Sequence, residues 1–211
     1  MNQKVQFIYD NLKEVISNPT TELNFTTNFE LLVSVILSAQ CTDKRVNEVT
    51  KTLFKVANTP EQFSVMSQEK LEELIHPCGF YHNKARNIIN CSKVIVEKYN
   101  GQVPHTYDEL LDLSGVGSKT ANVMLAVGFD KPGLAVDTHV QRVSSRLGLT
   151  DSTNALKTEK QLKGLFDEDK WSEVHHLILL FGRYFCTSRN PKCADCRFKR
   201  ICKYYKVKGE R

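Results

Sequence analysis

Glycine, proline and long apolar runs are scarce in this chain of 211 residues. It has only ten glycines and six prolines, which excludes a collagen-like or low-complexity protein. No stretch approaches the roughly 18 uninterrupted apolar residues of a membrane span. Residues 1–4 lack the basic head, apolar run and small-residue cleavage site of a secretory signal. We therefore expect a cytoplasmic protein that has no membrane partner.

Charge is spread unevenly along the chain, although the formal net charge is only +5. Residues 183–211 contain ten basic and two acidic side chains, whereas residues 1–182 contain 19 basic and 22 acidic ones. Clustered Lys and Arg bind phosphate-rich polymers by releasing their counterions. The basic end therefore indicates a polyanionic partner, with an unpaired solubilising tail as the alternative.

Helical periodicity runs through almost the whole sequence. Val5, Ile8, Leu12 and Ile16 recur every three or four residues, as the buried stripe of a first helix does. One helix, which runs through Val56, is predicted to begin at Thr42 or Asp43. A short helix is predicted near Pro60 and another after Ser67. Longer helices are predicted over residues 29–40, 84–99, 107–113, 118–129, 138–147, 155–166 and 170–185. The predicted fold class is all-α, because strand alternation and internal repeats are absent from the sequence.

Residues 113–121, Leu-Ser-Gly-Val-Gly-Ser-Lys-Thr-Ala, place two glycines directly before a predicted helix. Gly115 and Gly117 allow positive φ and close backbone approach, and the amides of the first helical turn add donors for an anion. A Walker loop is excluded because Ser118 separates Gly117 from Lys119, and a dinucleotide fingerprint lacks its third glycine. The segment predicts a phosphate-binding site, with an ordinary interhelical turn as the alternative.

Two ionisable residues near this turn have the chemistry of catalytic groups. Lys119 lies in the first turn of the helix predicted after the glycines and can act as an amine nucleophile or Schiff-base lysine. The alternative is a solvated lysine that contacts phosphate. Asp137 follows 18 residues later, at the start of the next helix. Its carboxylate can stabilise a cationic sugar or move protons, and a plain N-cap is the alternative.

Four of the seven cysteines lie within 17 residues, in the pattern C-x6-C-x2-C-x5-C. They are Cys186, Cys193, Cys196 and Cys202. The odd total and the missing export signal argue for thiolate ligands rather than disulfides. Zinc and an iron–sulfur cluster both suit four thiolates, although zinc ribbons usually pair two C-x2-C motifs and this segment has one.

Together these motifs resemble the endonuclease III family, the bacterial base-excision DNA glycosylases of the helix–hairpin–helix superfamily. The resemblance rests on residues 113–122, on Val-Asp-Thr-His at 136–139 and on the cysteine pattern. It extends to residues 31–43 and to Gly-Phe-Tyr-His-Asn-Lys-Ala at 79–85. It therefore covers nearly the whole chain.

By position, the resemblance implies that Lys119 is the catalytic lysine and Asp137 the catalytic aspartate. It implies that Gly115 and Gly117 hold DNA phosphate, often with a bound monovalent cation. The four clustered cysteines match the ligands of a [4Fe-4S] cluster. Gln40 matches the residue that fills the gap left by the extruded base, and Phe80 stands at the wedge position, where leucine is expected.

The same resemblance implies two helical lobes with DNA in the cleft between them. One lobe is residues 21–131, which contain the helix–hairpin–helix, and the other is the cluster domain, residues 1–20 with 132–211. The implied partner is double-stranded DNA with damaged pyrimidines or abasic sites, bound by a nucleoid-associated monomer. The implied activity is removal of oxidised pyrimidines followed by strand cleavage through a Lys119 Schiff base.

Two other functions stay open from the residues themselves. A monofunctional glycosylase of the same fold would use water as nucleophile and would tolerate loss of Lys119. A DNA-binding module with zinc or an iron–sulfur cluster would bind DNA in a salt-sensitive way without cutting it. Both alternatives predict no covalent adduct between Lys119 and DNA.

Overall fold

In the computed structural model, which describes residues 1–209, all regular secondary structure is helical and no strand occurs in this range. The α-helices are α1 (Gln3–Val15), α2 (Asn28–Leu37), α3 (Asp43–Val56), α4 (Pro60–Ser64), α5 (Gln68–Ile75), α6 (Tyr81–Tyr99), α7 (Tyr107–Leu111), α8 (Ser118–Val123), α9 (Thr138–Leu147), α10 (Ala155–Leu165), α11 (Trp171–Tyr184) and α12 (Lys203–Gly209). The all-α prediction is confirmed. In this range no helix is long and apolar enough to cross a membrane.

The chain divides into two compact units, one of residues 22–131 and one of residues 1–21 with the segment from Pro132 onward. The first unit is built around α2, in which every residue from Phe29 to Leu37 is buried. Helices α3 and α6 pack against it, and α4 and α5 pack against α6. A helix that is apolar on all sides is stable only inside such a layer of neighbours.

The second unit is built on the pair α9 and α11. Gly182 lets the two helices approach closely, since a Cβ there would lie 3.0 Å from both His139 Cβ and Val143 Cγ2. Phe198 from the cysteine segment is fully buried and meets Phe181 edge to face, with ring centroids 5.4 Å apart. The cysteine segment is therefore anchored to the core of this unit by an aromatic contact.

Short polar side chains begin most of the helices, as the sequence predicts. Thr42, Ser67 and Asp137 each accept a hydrogen bond from the third amide of the helix that follows. Each such cap stabilises its helix by about 1 kcal/mol. The helix predicted over 138–147 has the observed bounds of α9.

Several helix boundaries differ from the predictions, and the predicted helix over 107–113 ends at Leu111. Helix α2 ends at Leu37, and Gln40 has a φ of 53° that a helix does not allow. Helix α6 begins at Tyr81 rather than at residue 84. Helix α8 ends at Val123, and the chain continues as a π-helical turn over Met124–Gly128. Helix α12 was not predicted.

Candidate active site

The hairpin between α7 and α8 depends on its two glycines in different ways. Gly115 has a φ of +83°, and a Cβ there would lie 2.9 Å from Asn87 Cβ, so only glycine fits without strain. Gly117 has a φ of −105° and a ψ of −178°, which is extended backbone. A Cβ on Gly117 would meet nothing within 4 Å. Gly115 therefore forms the turn, while Gly117 leaves its backbone open to a ligand.

Hydrogen bonds hold the start of α8 in place. Tyr107 Oη donates to Ser118 Oγ at 2.8 Å, and Asn122 Nδ2 donates to the Ser118 carbonyl at 3.0 Å. The N-cap residue of α8 is Gly117, which has no side chain to cap the helix. An uncapped helix start of this kind can bind an anion such as a phosphate oxygen through its backbone amides.

Lys119 is the second residue of α8, and its side chain is exposed. Within the described unit of residues 22–131 its amine has no hydrogen-bond or ion-pair partner. Lys119 is thus one residue into the helix, so a phosphate bound at the hairpin would bring the sugar–phosphate backbone near its side chain.

Asp137 caps α9 through one of its two carboxylate oxygens. The buried segment of residues 134–136 leads into it, and its Oδ1 accepts a hydrogen bond from the Val140 amide at 2.8 Å. The side chain is only half-buried, and Arg142 is near enough to interact with it electrostatically. The cap occupies Oδ1, so Oδ2 can serve a substrate.

Gln40 and Phe80 are both exposed and both adopt a left-handed backbone conformation, with φ of 53° and 46°. Only four residues other than glycine in the described chain have positive φ, and these are two of them. Phe80 is 64% exposed, so its ring lies outside the core. Residues other than glycine that adopt the left-handed conformation occur most often at functional sites, where the loop backbone is strained.

The four clustered cysteines line one apolar cavity. Burial raises the pKa of the Cys196 thiol, and the other three sulfurs add to the rise. In residues 1–209 no three His, Cys, Asp or Glu side chains are grouped tightly enough to hold a single metal ion. The donor set is nevertheless one that soft thiolate-binding metals prefer, four sulfurs in an apolar shell.

Two arginines of α9, which no sequence motif marks, bind the backbone around Cys186. Arg142 donates to the carbonyls of Gly182 and Cys186 at 2.7 and 3.2 Å. Arg146 donates to Cys186 Sγ at 3.3 Å and to the Thr187 carbonyl at 2.8 Å. Their spacing of four residues places both on one helix face, but nothing local in the sequence indicates that this face meets the cysteines.

The basic residues between the cysteines are mostly exposed. Arg189, Lys192 and Arg200 are exposed, and Lys199 is half-buried. Arg197 is also exposed, but it forms an ion pair with Glu14. Exposed cations on a loop of this kind can contact phosphate without reading sequence.

The chain is similar to known DNA repair proteins over nearly its whole length. Residues 33–168 match the HhH-GPD superfamily base excision DNA repair protein. Endonuclease III of Bacillus subtilis (strain 168) is 44% identical over 202 residues, which cover 95% of this chain and 92% of the relative. Endonuclease III of Haemophilus influenzae is 42% identical over 197 residues, 93% of each chain.

Solved structures of DNA repair proteins are also similar to this chain over nearly its whole length. A trapped endonuclease III–DNA covalent intermediate, an estranged-adenine complex, has a TM-score of 0.94 at 43% identity and covers 99% of this chain and 100% of the other. A non-covalent endonuclease III–DNA complex has a TM-score of 0.95 at 42% identity, with both chains fully covered. A thermostable thymine-DNA glycosylase, only 20% identical, shares the fold with a TM-score of 0.86 and covers 98% of each chain.

Proposed function

Because this chain belongs to the HhH-GPD superfamily of base excision DNA repair proteins, and within it to the endonuclease III family, we propose that Lys119 and Asp137 carry its reaction. The chain is a bifunctional DNA glycosylase and abasic-site lyase that acts on oxidised pyrimidines. The observation that carries the residue assignment is the exposed Lys119 amine at the uncapped start of α8, directly after the open backbone of Gly117.

The first step is extrusion of the damaged base. A base stacked in a duplex is out of reach of a side chain, so it must be flipped out at a cost of a few kcal/mol. Gln40 hydrogen-bonds the base left without a partner, and Phe80 enters the stack as a wedge. Phenylalanine offers a larger stacking face than the leucine expected there, and its 64% exposure leaves that face free to stack.

The second step is displacement of the base by Lys119. The neutral amine attacks C1′, a C–N bond forms, and the glycosidic bond breaks as the base leaves with its electron pair and takes up a proton. The Asp137 carboxylate stabilises the positive charge that develops on the sugar. Its cap bond to Val140 fixes the carboxylate in one orientation, so little reorganisation is needed.

The third step is strand cleavage, and it requires an amine. After ring opening, the Lys119 nitrogen is joined to C1′ as an iminium ion, which acidifies the C2′ proton. Loss of that proton to a base drives β-elimination, which breaks the C3′–O3′ bond. An activated water would stop at base removal, so a lysine nucleophile favours the bifunctional reaction.

The cysteine cavity fits a [4Fe-4S] cluster, with Cys186, Cys193, Cys196 and Cys202 as its four ligands. The thiols line one apolar cavity, and the Arg146 guanidinium donates to Cys186 Sγ. The cluster would hold a loop that has little core of its own. The bound loop would then present Arg189, Lys192 and Arg200 to DNA phosphate. A monovalent cation at the hairpin stays a prediction.

Metal analysis of the purified protein separates the cluster from zinc. We expect about four iron atoms and four acid-labile sulfides per chain, as the cluster formula requires. Substitution Cys202→Ser is expected to lower the iron content and to make the cysteine loop more sensitive to protease, because a ligand has been removed. Cys91→Ser is the control, since Cys91 is buried in the other unit. One zinc and no iron per chain would contradict the cluster.

Purified protein and a duplex with one oxidised pyrimidine test the proposed function. We expect the damaged base to be released and the strand to be cut without alkali, while a matched undamaged duplex stays intact. Base release with cutting only after alkali would indicate the monofunctional glycosylase. Salt-sensitive binding without base release would indicate the binding module.

A further inference from the structure

Lys84, in the first turn of α6, is a buried lysine that joins two loops. Only 5% of it is exposed. Its Nζ donates to the Leu37 carbonyl at 2.9 Å and to the Cys78 carbonyl at 2.8 Å. Lysine is among the residues least often buried, because its charge must leave water. A buried lysine with two backbone acceptors therefore needs an explanation.

The two acceptors lie where the chain enters the two loops that carry Gln40 and Phe80. Leu37 is the last residue of α2, and the Gln40 loop, residues 38–41, follows it. Cys78 ends a short 3₁₀ turn, and the Phe80 loop, residues 79–80, connects it to α6. Carbonyls at helix ends have no partner inside their own helix. Lys84 thus satisfies one terminal carbonyl on each side and connects the loops.

The ammonium has no anionic partner in the described chain. No carboxylate pairs with Lys84 there, and burial lowers its pKa. The neighbouring Cys78 thiol supplies no negative charge either, because burial and contact with Cys41 raise its pKa to about 12. Burying an ammonium whose only partners are the carbonyls of two helix ends carries a desolvation penalty that no anion offsets. The cost is consistent with a requirement for a particular loop arrangement.

We propose that Lys84 is a positioning residue that holds the Gln40 and Phe80 loops in fixed relation, so that both side chains enter the duplex together. The proposal rests on the proposed function, in which these two residues extrude the base. Each loop carries its functional residue in the left-handed region, a conformation that persists only when the surroundings fix it. Because the loops are joined, insertion of one side chain also positions the other. The entropy cost of ordering the loops on DNA binding is then smaller, since they are already ordered in the free protein.

Substitution Lys84→Met tests this proposal with two substrates. The first is an abasic site in a duplex, which requires extrusion, and the second is the same abasic strand without its complement, which does not. We expect cleavage of the duplex to fall by roughly 10- to 100-fold, as for a misplaced positioning group. Cleavage of the single strand should change less than about twofold, because the Lys119 chemistry is untouched.

A fluorescent adenine analogue placed opposite the abasic site gives a readout of loop insertion itself. At saturating protein the wild type should change its fluorescence on binding, and Lys84→Met should change it much less. Lys84→Arg keeps donors for both carbonyls and should restore part of both signals. Lys93→Met, on the exposed face of the same helix, is the matched control and at saturating protein should keep the wild-type cleavage and fluorescence change.

The outcomes separate cleanly. Equal losses on the two substrates would mean that Lys84 only supports the fold, and unchanged duplex cleavage would mean that it does not position the loops; either result overturns the proposal. If Lys84→Met does not fold at the assay temperature, Lys84→Gln supplies the same comparison with one shorter, neutral donor. Failure of the wild type on both substrates would instead overturn the proposed function.

Discussion

Substitution Lys119→Gln is expected to abolish the covalent adduct that borohydride traps between the protein and a duplex with one abasic site. Trapping requires an amine that forms an iminium with C1′, and glutamine has none. Loss of a covalent nucleophile lowers turnover by at least about 10³-fold. Because the Lys119 side chain is exposed and has no partner within residues 22–131, the variant should unfold at the same temperature as wild type.

Lys93→Gln is the control for the lost charge, because it removes one exposed lysine from the surface of α6. It should leave the adduct intact, while DNA binding by both variants should weaken slightly and to a similar degree. Adduct mass is read on a denaturing gel, and peptide mapping locates the modified residue. An adduct of undiminished yield from Lys119→Gln would assign the Schiff base to another amine and overturn the mechanism.

Substitution Asp137→Asn is expected to lower base release by about 10²- to 10⁴-fold with little change in stability. Asparagine caps a helix about as well as aspartate, so the hydrogen bond from the Val140 amide is kept. What is lost is the negative charge that stabilises the cationic sugar. Single-turnover release of an oxidised pyrimidine measures the first effect, and thermal unfolding measures the second.

Asp137→Ala separates the cap from the charge. It should lose base release to a similar degree and should in addition destabilise the fold by about 1 kcal/mol, since the amide of Val140 is left without its acceptor. A preformed abasic site supplies a second comparison, because the base has already left and less charge must be stabilised. Near-normal base release by Asp137→Asn would reduce Asp137 to an N-cap and remove it from the reaction.

Much of this protein follows from local sequence. The helices come from apolar residues three and four apart and from short polar caps, and both act within one or two turns. For this reason the sequence predicts 138–147 with the bounds of α9 and indicates helix starts at Thr42 and Ser67. The endonuclease III family is also recognisable from the sequence, because the residues around Lys119, Asp137 and the four cysteines keep their order and spacing.

The tertiary structure decided what depends on distant parts of the chain. Gly115 is sterically required because Asn87, from another helix, lies against it, and no local pattern distinguishes it from Gly117. Helix α2 stops at Leu37, whose carbonyl accepts a hydrogen bond from Lys84, 47 residues further on. In the sequence, nothing distinguishes Lys84 from any other lysine near the start of a helix. Only packing can bury it, because burial and hydrogen-bond partners are set by contacts between segments far apart in the chain, whereas helix periodicity and capping are set by neighbours.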